Sequence, residues 1–225
     1  TKMINIGISK LGMLTISDWQ KTLDPFLDKP NIILLDFNDQ QNRPLDYLIF
    51  DGGEDITPLF YGEPRSNRTK SNINRDALEW YLAMRYLHNT QTKYVGICRG
   101  HQFLNVFMKG TLYQDLQSIG LGHTGEHKAK PIKSKISTYV SNRPFLVNSM
   151  HHQAVKDIGF GLVPTLIEPD SQIIEGLESI QEDSIPEYMK NKIRTVQCHP
   201  EMGGFKQAPA LISYLFRLQE RPNAG

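Results

Sequence analysis

Two short segments of this chain contain the residue types that enzymes use for covalent catalysis. The first is GICRGHQ, residues 96–102, in which Cys98 stands between glycines at the end of an apolar run. The second is CHPE, in which His199 is followed two residues later by Glu201. A thiolate nucleophile needs a neighbouring base, and the base needs an acceptor that fixes its orientation. The two segments together predict a Cys98–His199–Glu201 arrangement for acyl transfer.

The residues around Cys98 predict a strand–turn–helix elbow. The run KYVGI ends at Ile97, and the pattern that follows predicts a helix over residues 99–108. Gly96 and Gly100 lack the Cβ atoms that would crowd such a turn, as in the serine elbow of α/β-hydrolases. The positive end of the helix dipole at this position favours a thiolate. The alternative is a small, inert core cysteine, which requires neither glycine.

The CHPE segment supplies a base and a carboxylate at a spacing of two. In an extended segment such residues face the same side, so Glu201 can reach the imidazole of His199. Cys198 would then face the opposite side, and we expect it to be a core residue. The alternative is a surface histidine in a turn after a strand.

Short apolar runs supply the strands that must position these segments. In the first half they are residues 4–9, 31–37, 46–53 and 93–97, with an amphipathic helix before the fourth run. The second half predicts further strands over 162–168, 172–179 and 192–200, followed by a helix over 208–219. This order predicts an α/β fold, with a mostly parallel central sheet and helices on both faces, as one flavodoxin-like domain over residues 1–225.

Two polar, basic stretches, Tyr61–Asp76 and Gly122–Lys135, are predicted to be long surface loops. If they flank the mouth of the pocket, their basic residues favour an amine that carries a carboxylate or a phosphate. A solvated basic surface is the alternative. The basic residues concerned are Arg65, Arg68, Lys70 and Lys128.

Composition excludes several classes of function. The 225 residues have a formal net charge of +1, which gives no support to nucleic-acid or membrane-surface binding. No apolar run approaches the roughly 18 residues of a membrane span, and the N-terminal residues lack the apolar core of a signal peptide. The two cysteines offer no disulfide framework, so we expect a cytoplasmic protein.

No metal site is predicted. His123 and His127 are four residues apart, but they fall in the second basic stretch and not on an apolar helix. His151 and His152 are adjacent and cannot easily share an ion. The chain contains no HExxH pattern.

The same segments resemble the class I glutamine amidotransferases, and most closely their γ-glutamyl hydrolase branch, which includes γ-glutamyl-γ-aminobutyrate hydrolases. GICRGHQ and CHPE match the nucleophile and His/Glu motifs of that family. Further matches are DGGEDITPLFYGE, RDALE, LNVFMKGTLYQDL and VNSMHHQAV, in the expected order over residues 46–204. The chain departs from the branch at Lys109-Gly110, where two glycines are usual, and we expect no synthetase domain of the kind that fused amidotransferases carry.

The resemblance implies a role for each matching residue. Cys98 would be the nucleophile, His199 the general base and acid, and Glu201 its orienting carboxylate. The remaining positions divide into oxyanion-hole amides, at Gly53 and Arg99, and substrate-binding residues, at Gly52, Gln102, Asn148, Ser149, Met150 and His151. The glycines also agree with a physical argument, because glycine after a strand permits close backbone approach to a ligand. A surface glutamine is the alternative for Gln102.

The implied activity is cleavage of a γ-glutamyl amide through a thioester, with release of glutamate and an amine and with no cofactor. The predicted partner is a small γ-glutamyl molecule, and a homodimer or a synthetase partner is left open. One alternative is a glutaminase subunit that passes ammonia to that synthetase. Another is a non-catalytic binding module, although such modules typically lack the cysteine or the histidine.

Overall fold

The computed structural model describes residues 3–39, 43–122, 125–132 and 134–218. Four α-helices are present in this part of the chain: α1 (Ile16–Leu23), α2 (Ile73–Tyr86), α3 (Arg99–Phe107) and α4 (Ala208–Leu215). The strands are β1 (Asn5–Ser9), β2 (Asn31–Leu35), β3 (Tyr47–Phe50), β4 (Lys93–Ile97), β5 (Leu112–Tyr113), β6 (Gly125–Pro131), β7 (Phe145–Ser149), β8 (Ala154–Val155), β9 (Leu162–Ile167), β10 (Ile174–Ser179) and β11 (Ile193–Val196).

The strands form one mixed sheet in the order β2-β1-β3-β4-β11-β10-β9-β6-β7. The first five of these strands are parallel. From β11 onward each neighbouring pair is antiparallel, and the short β5 and β8 pair beside β10. The parallel half is the part of the sheet that the alternation of strands and helices predicts. β4 and β11 are neighbours, so the segments that follow them leave the same edge of the sheet.

Helices cover both faces of the sheet, and this confirms the predicted α/β class. On one face, α1 and α4 pack through residues such as Trp19 and Leu211, against Ile49 and Val95 of the sheet. On the other face, α2 and α3 pack through residues such as Leu82. Their partners are the alternate residues of the same strands, whose side chains point to this second face. Successive residues of a strand face opposite sides, so an apolar run with no alternation is what a strand covered on both faces requires.

The prediction of a continuous loop over Gly122–Lys135 is wrong, because Gly125–Pro131 forms β6. Its residues alternate between exposed and buried positions, and His127, Ala129 and Pro131 are the buried ones. The alternation was hidden because a histidine and a proline occupy two of the three buried positions. His123, the other histidine of this stretch, lies outside the described residues.

The first basic stretch is a loop only as far as Asn72, which caps α2 by accepting a hydrogen bond from the Arg75 amide. Within the described ranges, no helix is both long enough and apolar enough to cross a membrane. The assignment of residues 1–225 to one domain stays a prediction.

Candidate active site

The predicted elbow is present between β4 and α3. Cys98 is the residue immediately before α3, and it adopts φ 52° and ψ −105°, a conformation that non-glycine residues rarely take. A Cβ on Gly96 would lie 2.7 Å from the Gly100 carbonyl oxygen, and one on Gly100 would lie 1.8 Å from the Phe50 carbonyl oxygen. The two glycines therefore let α3 begin directly against the sheet, with the thiol held at the turn.

His199 and Glu201 stand beside this thiol, in the segment that follows β11. The Nδ1–H of His199 donates to Oε1 of Glu201 at 2.7 Å, and both side chains are almost fully buried. The sequence predicts an extended segment for these two residues. Instead, a 3₁₀ turn, Pro200–Met202, begins directly after His199. This turn, and not an extended backbone, brings the Glu201 carboxylate to the His199 imidazole.

The charge state of His199 follows from its two partners. Burial lowers its pKa, but hydrogen bonds and charges from Cys98 and Glu201 outweigh burial and raise the pKa to about 10. At neutral pH the imidazole is therefore protonated between a sulfur atom and a carboxylate. A protonated histidine in that position can supply a proton to a departing group.

Cys98 and Cys198 are both buried, but they differ in backbone position and in the groups around the sulfur. Burial together with nearby Glu175 raises the pKa of the Cys198 thiol well above the ordinary value. A neutral, enclosed thiol is not a nucleophile. The distinction drawn between the two cysteines from sequence therefore agrees with their surroundings.

The glycine pair after β3 also packs against the site. A Cβ on Gly52 would lie 2.7 Å from Cε1 of His199, so this glycine leaves room for the imidazole. Gly53 has φ 135°, and a Cβ there would lie 2.1 Å from Nη1 of Arg75. Among the described residues, neither the Gly53 amide nor the Arg99 amide donates a turn or loop hydrogen bond to a backbone carbonyl.

A buried ionic network beneath these two amides was not predicted from the sequence. Arg99 donates from its guanidinium to Asp76 and Glu79. Arg75 donates to Glu79 at 2.9 Å and to Asp51 at 2.6 Å. All five residues are buried. The network links the end of β3, helix α2 and the elbow, and thereby fixes the two segments that carry the amides of Gly53 and Arg99.

Asn148 lies against the backbone of His199. Its Nδ2 donates to the His199 carbonyl at 3.0 Å, and its Oδ1 accepts from the His199 amide at 2.8 Å. Both ends of the side-chain amide are thus used to hold the histidine. The sequence predicts a substrate-binding role here, whereas the observed contacts are those of a residue that positions His199.

The other residues of the NSMHH segment have different surroundings. Ser149 is buried at the end of β7, and Met150 is 56 % exposed. His151 is buried, and its Nδ1–H donates to the Gln153 carbonyl at 2.9 Å. Of the residues in this segment, Met150 and His152, whose side chain is 41 % exposed, are therefore the ones open to a ligand.

Gln102 and Gln197 form a hydrogen-bonded pair beneath the thiol. Nε2 of Gln102 donates to the Gln153 carbonyl at 2.9 Å and to Oε1 of Gln197 at 3.1 Å. Nε2 of Gln197 lies 3.5 Å from Sγ of Cys98. Gln102 therefore has only its own Oε1 left for a substrate. The contact of Gln197 with the sulfur was missed from the sequence, although its spacing of two from His199 was a usable signal.

Within the described ranges, one group of side chains has metal-ligand chemistry at suitable distances: His127, His151 and Glu175, with ligand atoms within 4.8 Å of one another. Nε2 of His127 is 3.2 Å from Glu175. Burial lowers the pKa of His127, but the hydrogen bond and charge of Glu175 outweigh it and give a net rise. The same contacts lower the pKa of Glu175 against the effect of its burial. His127 and Glu175 thus interact as a buried ion pair, although neither carboxylate oxygen of Glu175 has a hydrogen bond of good geometry to a described residue. The absence of a metal stays a prediction.

The basic residues expected at the pocket mouth are largely engaged elsewhere. Arg65 donates to the Thr69 carbonyl, and Arg68 pairs with Asp115 at 3.4 Å. Lys128 is an exposed residue of β6. Arg68, Asp115, His151 and His152 do line a cavity of about 270 Å³, in which cationic and anionic groups are both present. A preference for an acidic amine has no support from this balance of charge.

Comparisons with known proteins identify the family of the chain. The model of the family described as Peptidase C26 matches residues 36–201. Protein NtpR of Enterococcus hirae is 34% identical over 171 residues, which cover 70% of this chain and 67% of that protein. A Schizosaccharomyces pombe protein that carries the provisional name glutamine amidotransferase is 34% identical over 168 residues, or 70% of this chain and 62% of that protein. The chain thus spans under two thirds of the second relative.

The fold also has counterparts among solved structures. One is a Thermoplasma acidophilum protein provisionally described as a GMP synthase subunit. It superposes with a TM-score of 0.69 over 96% of this chain and 94% of its own, at 15% sequence identity. At that identity the likeness establishes the architecture alone.

Proposed function

The chain belongs to the Peptidase C26 family, whose members have an amide-hydrolysing role, and we propose that its substrate is a γ-glutamyl amide cleaved through a thioester on Cys98. One observation carries the proposal. Cys98 sits at a positive φ on the elbow, and its sulfur contacts an imidazole whose pKa is raised to about 10. A thiolate–imidazolium pair of this kind has the nucleophile and the acid that amide cleavage requires.

In the proposed reaction, the thiolate attacks the γ-carbonyl carbon, and the carbonyl electrons move to oxygen. The resulting oxyanion accepts hydrogen bonds from the amides of Gly53 and Arg99. The tetrahedral intermediate then collapses, the carbon–nitrogen bond breaks, and His199 gives its proton to the departing amine. What remains is a glutamyl thioester on Cys98 and a neutral His199.

Neutral His199 then takes a proton from water, which attacks the thioester. A second tetrahedral intermediate forms on the same amides and expels the sulfur as a thiolate, releasing glutamate. The proton stays on His199, so the starting ion pair is restored. Glu201 keeps Nδ1 of His199 as the donor throughout, which leaves the other ring nitrogen for proton transfer.

The glutamyl specificity rests on the resemblance of the motifs and on the provisional name of the yeast relative. Glutamine is itself the simplest γ-glutamyl amide, so a glutaminase and a γ-glutamyl hydrolase share this chemistry. The competing proposal is therefore a glutaminase subunit that delivers ammonia to a synthetase. Its support is the provisional name of the same yeast relative, glutamine amidotransferase.

The test is release of glutamate by the purified chain from glutamine and from a panel of γ-glutamyl amines. We expect hydrolysis of one or more γ-glutamyl amines at rates well above that of glutamine. Cys98→Ala should abolish this release, whereas Cys198→Ala, a matched change at the neighbouring cysteine, should preserve it. Hydrolysis of glutamine alone, and only after a synthetase is added, would favour the competing proposal. Full activity of Cys98→Ala would refute both.

A further inference from the structure

The nucleophilic sulfur has a second contact besides His199. Gln197, directly after β11, has no exposed surface, and its Nε2 lies 3.5 Å from Sγ of Cys98. A hydrogen bond to sulfur is longer than one to oxygen because the sulfur atom is larger, so the separation is that of a hydrogen bond. A fully buried amide beside a thiolate requires a reason for its orientation, since its oxygen would repel the sulfur.

The orientation of the Gln197 amide follows from the backbone carbonyl of Gln153, to which it is linked through Gln102. The backbone carbonyl of Gln153 can only accept, so the Gln102 atom that lies 2.9 Å from it must be the NH₂ group. That same NH₂ lies 3.1 Å from the Gln197 amide, which must therefore present its oxygen there. The opposite end of Gln197, an NH₂ group, is then left facing Sγ. The positions of the nitrogen and the oxygen in the Gln197 amide therefore follow from its hydrogen-bond partners, and they need not be told apart by shape.

We propose that Gln197 is a catalytic residue that donates a hydrogen bond to the Cys98 thiolate, and that Gln102 is the positioning residue that orients it. The catalytic consequence rests on the proposed thioester mechanism. A donor at this place favours the charged sulfur before attack. It also assists each step in which sulfur departs from carbon as a thiolate, and it holds Sγ at the turn.

Other charged groups near the sulfur do not duplicate this contact. His199 provides the one cation that touches it, with Glu201 behind the imidazole. The neighbouring Cys198 is held neutral by burial and by the charge of Glu175. The guanidinium of Arg99 is directed to the carboxylates of α2. Among the described residues, the thiolate thus has one imidazolium and one neutral amide as side-chain partners.

The proposal predicts how the reactivity of Cys98 depends on pH. We would measure the rate of alkylation by iodoacetamide from acid to alkaline pH in the full chain, with Cys98→Ser as the background for Cys198. Gln197→Met keeps the volume but removes the donor. It should shift the acidic midpoint of alkylation upward by about one pH unit or more, equivalent to a roughly tenfold change in the thiolate population.

Gln197→Glu is a second variant, which preserves the shape of the side chain and replaces the donor with an acceptor. We expect a larger upward shift than in Gln197→Met. Because a carboxylate also repels the thiolate by its charge, Gln197→Met, which adds no charge, is the variant that separates hydrogen-bond donation from packing, and a wild-type midpoint in that variant would overturn the proposal. If the pH midpoint of Cys98 alkylation in Gln197→Glu equalled that of the wild type, the proposal would also be overturned.

A change at Gln102 tests the same contact with Gln197 intact. Gln102→Leu removes the group that orients the amide, and we expect a smaller shift in the same direction. An unchanged midpoint in this variant would overturn the positioning role, and it decides that point even if Gln197 variants do not fold. Alkylation requires no substrate, so these results stand apart from whether the chain hydrolyses γ-glutamyl amides.

Discussion

Replacement of Gly53 by alanine tests the proposed oxyanion hole and the network beneath it in one change. The residue has φ 135°, and a new Cβ would lie 2.1 Å from Nη1 of Arg75. Since real Cβ contacts are longer than 3.0 Å, the guanidinium or the Gly53 backbone must move by about 1 Å. Arg75 is held by Asp51 and Glu79 at the same time, so the shift disturbs buried ion pairs.

The expected magnitudes come from two separate effects. A displaced Gly53 amide is a lost oxyanion donor, which costs about 3 kcal/mol of barrier, or roughly a hundredfold to a thousandfold in kcat. Backbone strain and disturbed ion pairs should lower the free energy of unfolding by about 2 to 5 kcal/mol. The assays are hydrolysis of a γ-glutamyl amide and chemical denaturation.

Gly62 supplies the matched control in the same loop region. It has φ 72°, and nothing lies within 4 Å of the position its Cβ would take. Gly62→Ala should therefore lose about 1 kcal/mol of stability through strain and keep its kcat. If Gly53→Ala behaved like Gly62→Ala in both assays, the reasoning about the Gly53 amide would be refuted.

Three further predictions follow from the site. Glu201→Gln should lower kcat roughly 10³- to 10⁴-fold through loss of the His199 orientation, and the alkaline limit of kcat/KM, expected near the His199 pKa of about 10, should fall. Asn148→Ala should lower the free energy of unfolding by about 2 kcal/mol, for two lost hydrogen bonds to His199, and should also reduce kcat. Dialysis against EDTA should leave both activity and the midpoint of thermal unfolding unchanged.

The results that contradict each prediction are equally specific. An unshifted alkaline limit in Glu201→Gln would show that another group sets the charge of His199. If the free energy of unfolding of Asn148→Ala equalled that of the wild type, the two hydrogen bonds to the His199 backbone would contribute little to stability. Loss of activity in EDTA, with recovery on addition of Zn²⁺, would assign a metal to His127, His151 and Glu175.

The pKa of His199 also makes stability depend on pH. Because the folded-state pKa is raised from 6.5 to about 10, the stabilisation is fully present below about pH 6.5. It is lost as the pH rises through 10. In Glu201→Gln, where one of the raising contacts is removed, the decline in the free energy of unfolding should be smaller over this window.

The parts of the fold that were predictable from sequence depend on local pattern. The strand before Cys98 and the helix after it appear where the apolar run and the glycines place them, because only a few backbone conformations satisfy both. β6 was missed for the opposite reason. Its inward-facing positions include His127, whose burial is favoured by Glu175, a partner far away in the sequence.

The residues of the site likewise divide into those that a local sequence pattern predicts and those that depend on contacts between distant segments. Cys98, His199 and Glu201 could be proposed because each lies in a short motif whose spacing has a mechanical meaning. The contacts of Asn148 could not, since they depend on which strands become neighbours in the sheet, and for Gln197 the sequence offered only its spacing of two from His199. RDALE places Arg75 and Glu79 one helical turn apart, but the sequence alone does not reveal that Arg99 completes the network.

The most direct test of the account is a search for the acyl-enzyme on Cys98. The chain would be mixed with a γ-glutamyl amide, quenched rapidly in acid and digested, and the peptide that contains Cys98 would be examined by mass spectrometry. We predict that this peptide gains the mass of one glutamyl group during turnover, that the adduct disappears as substrate is consumed, and that Cys198 stays unmodified. Release of glutamate at full rate with no adduct on Cys98 at any time, and equally in Cys98→Ala, would contradict the account.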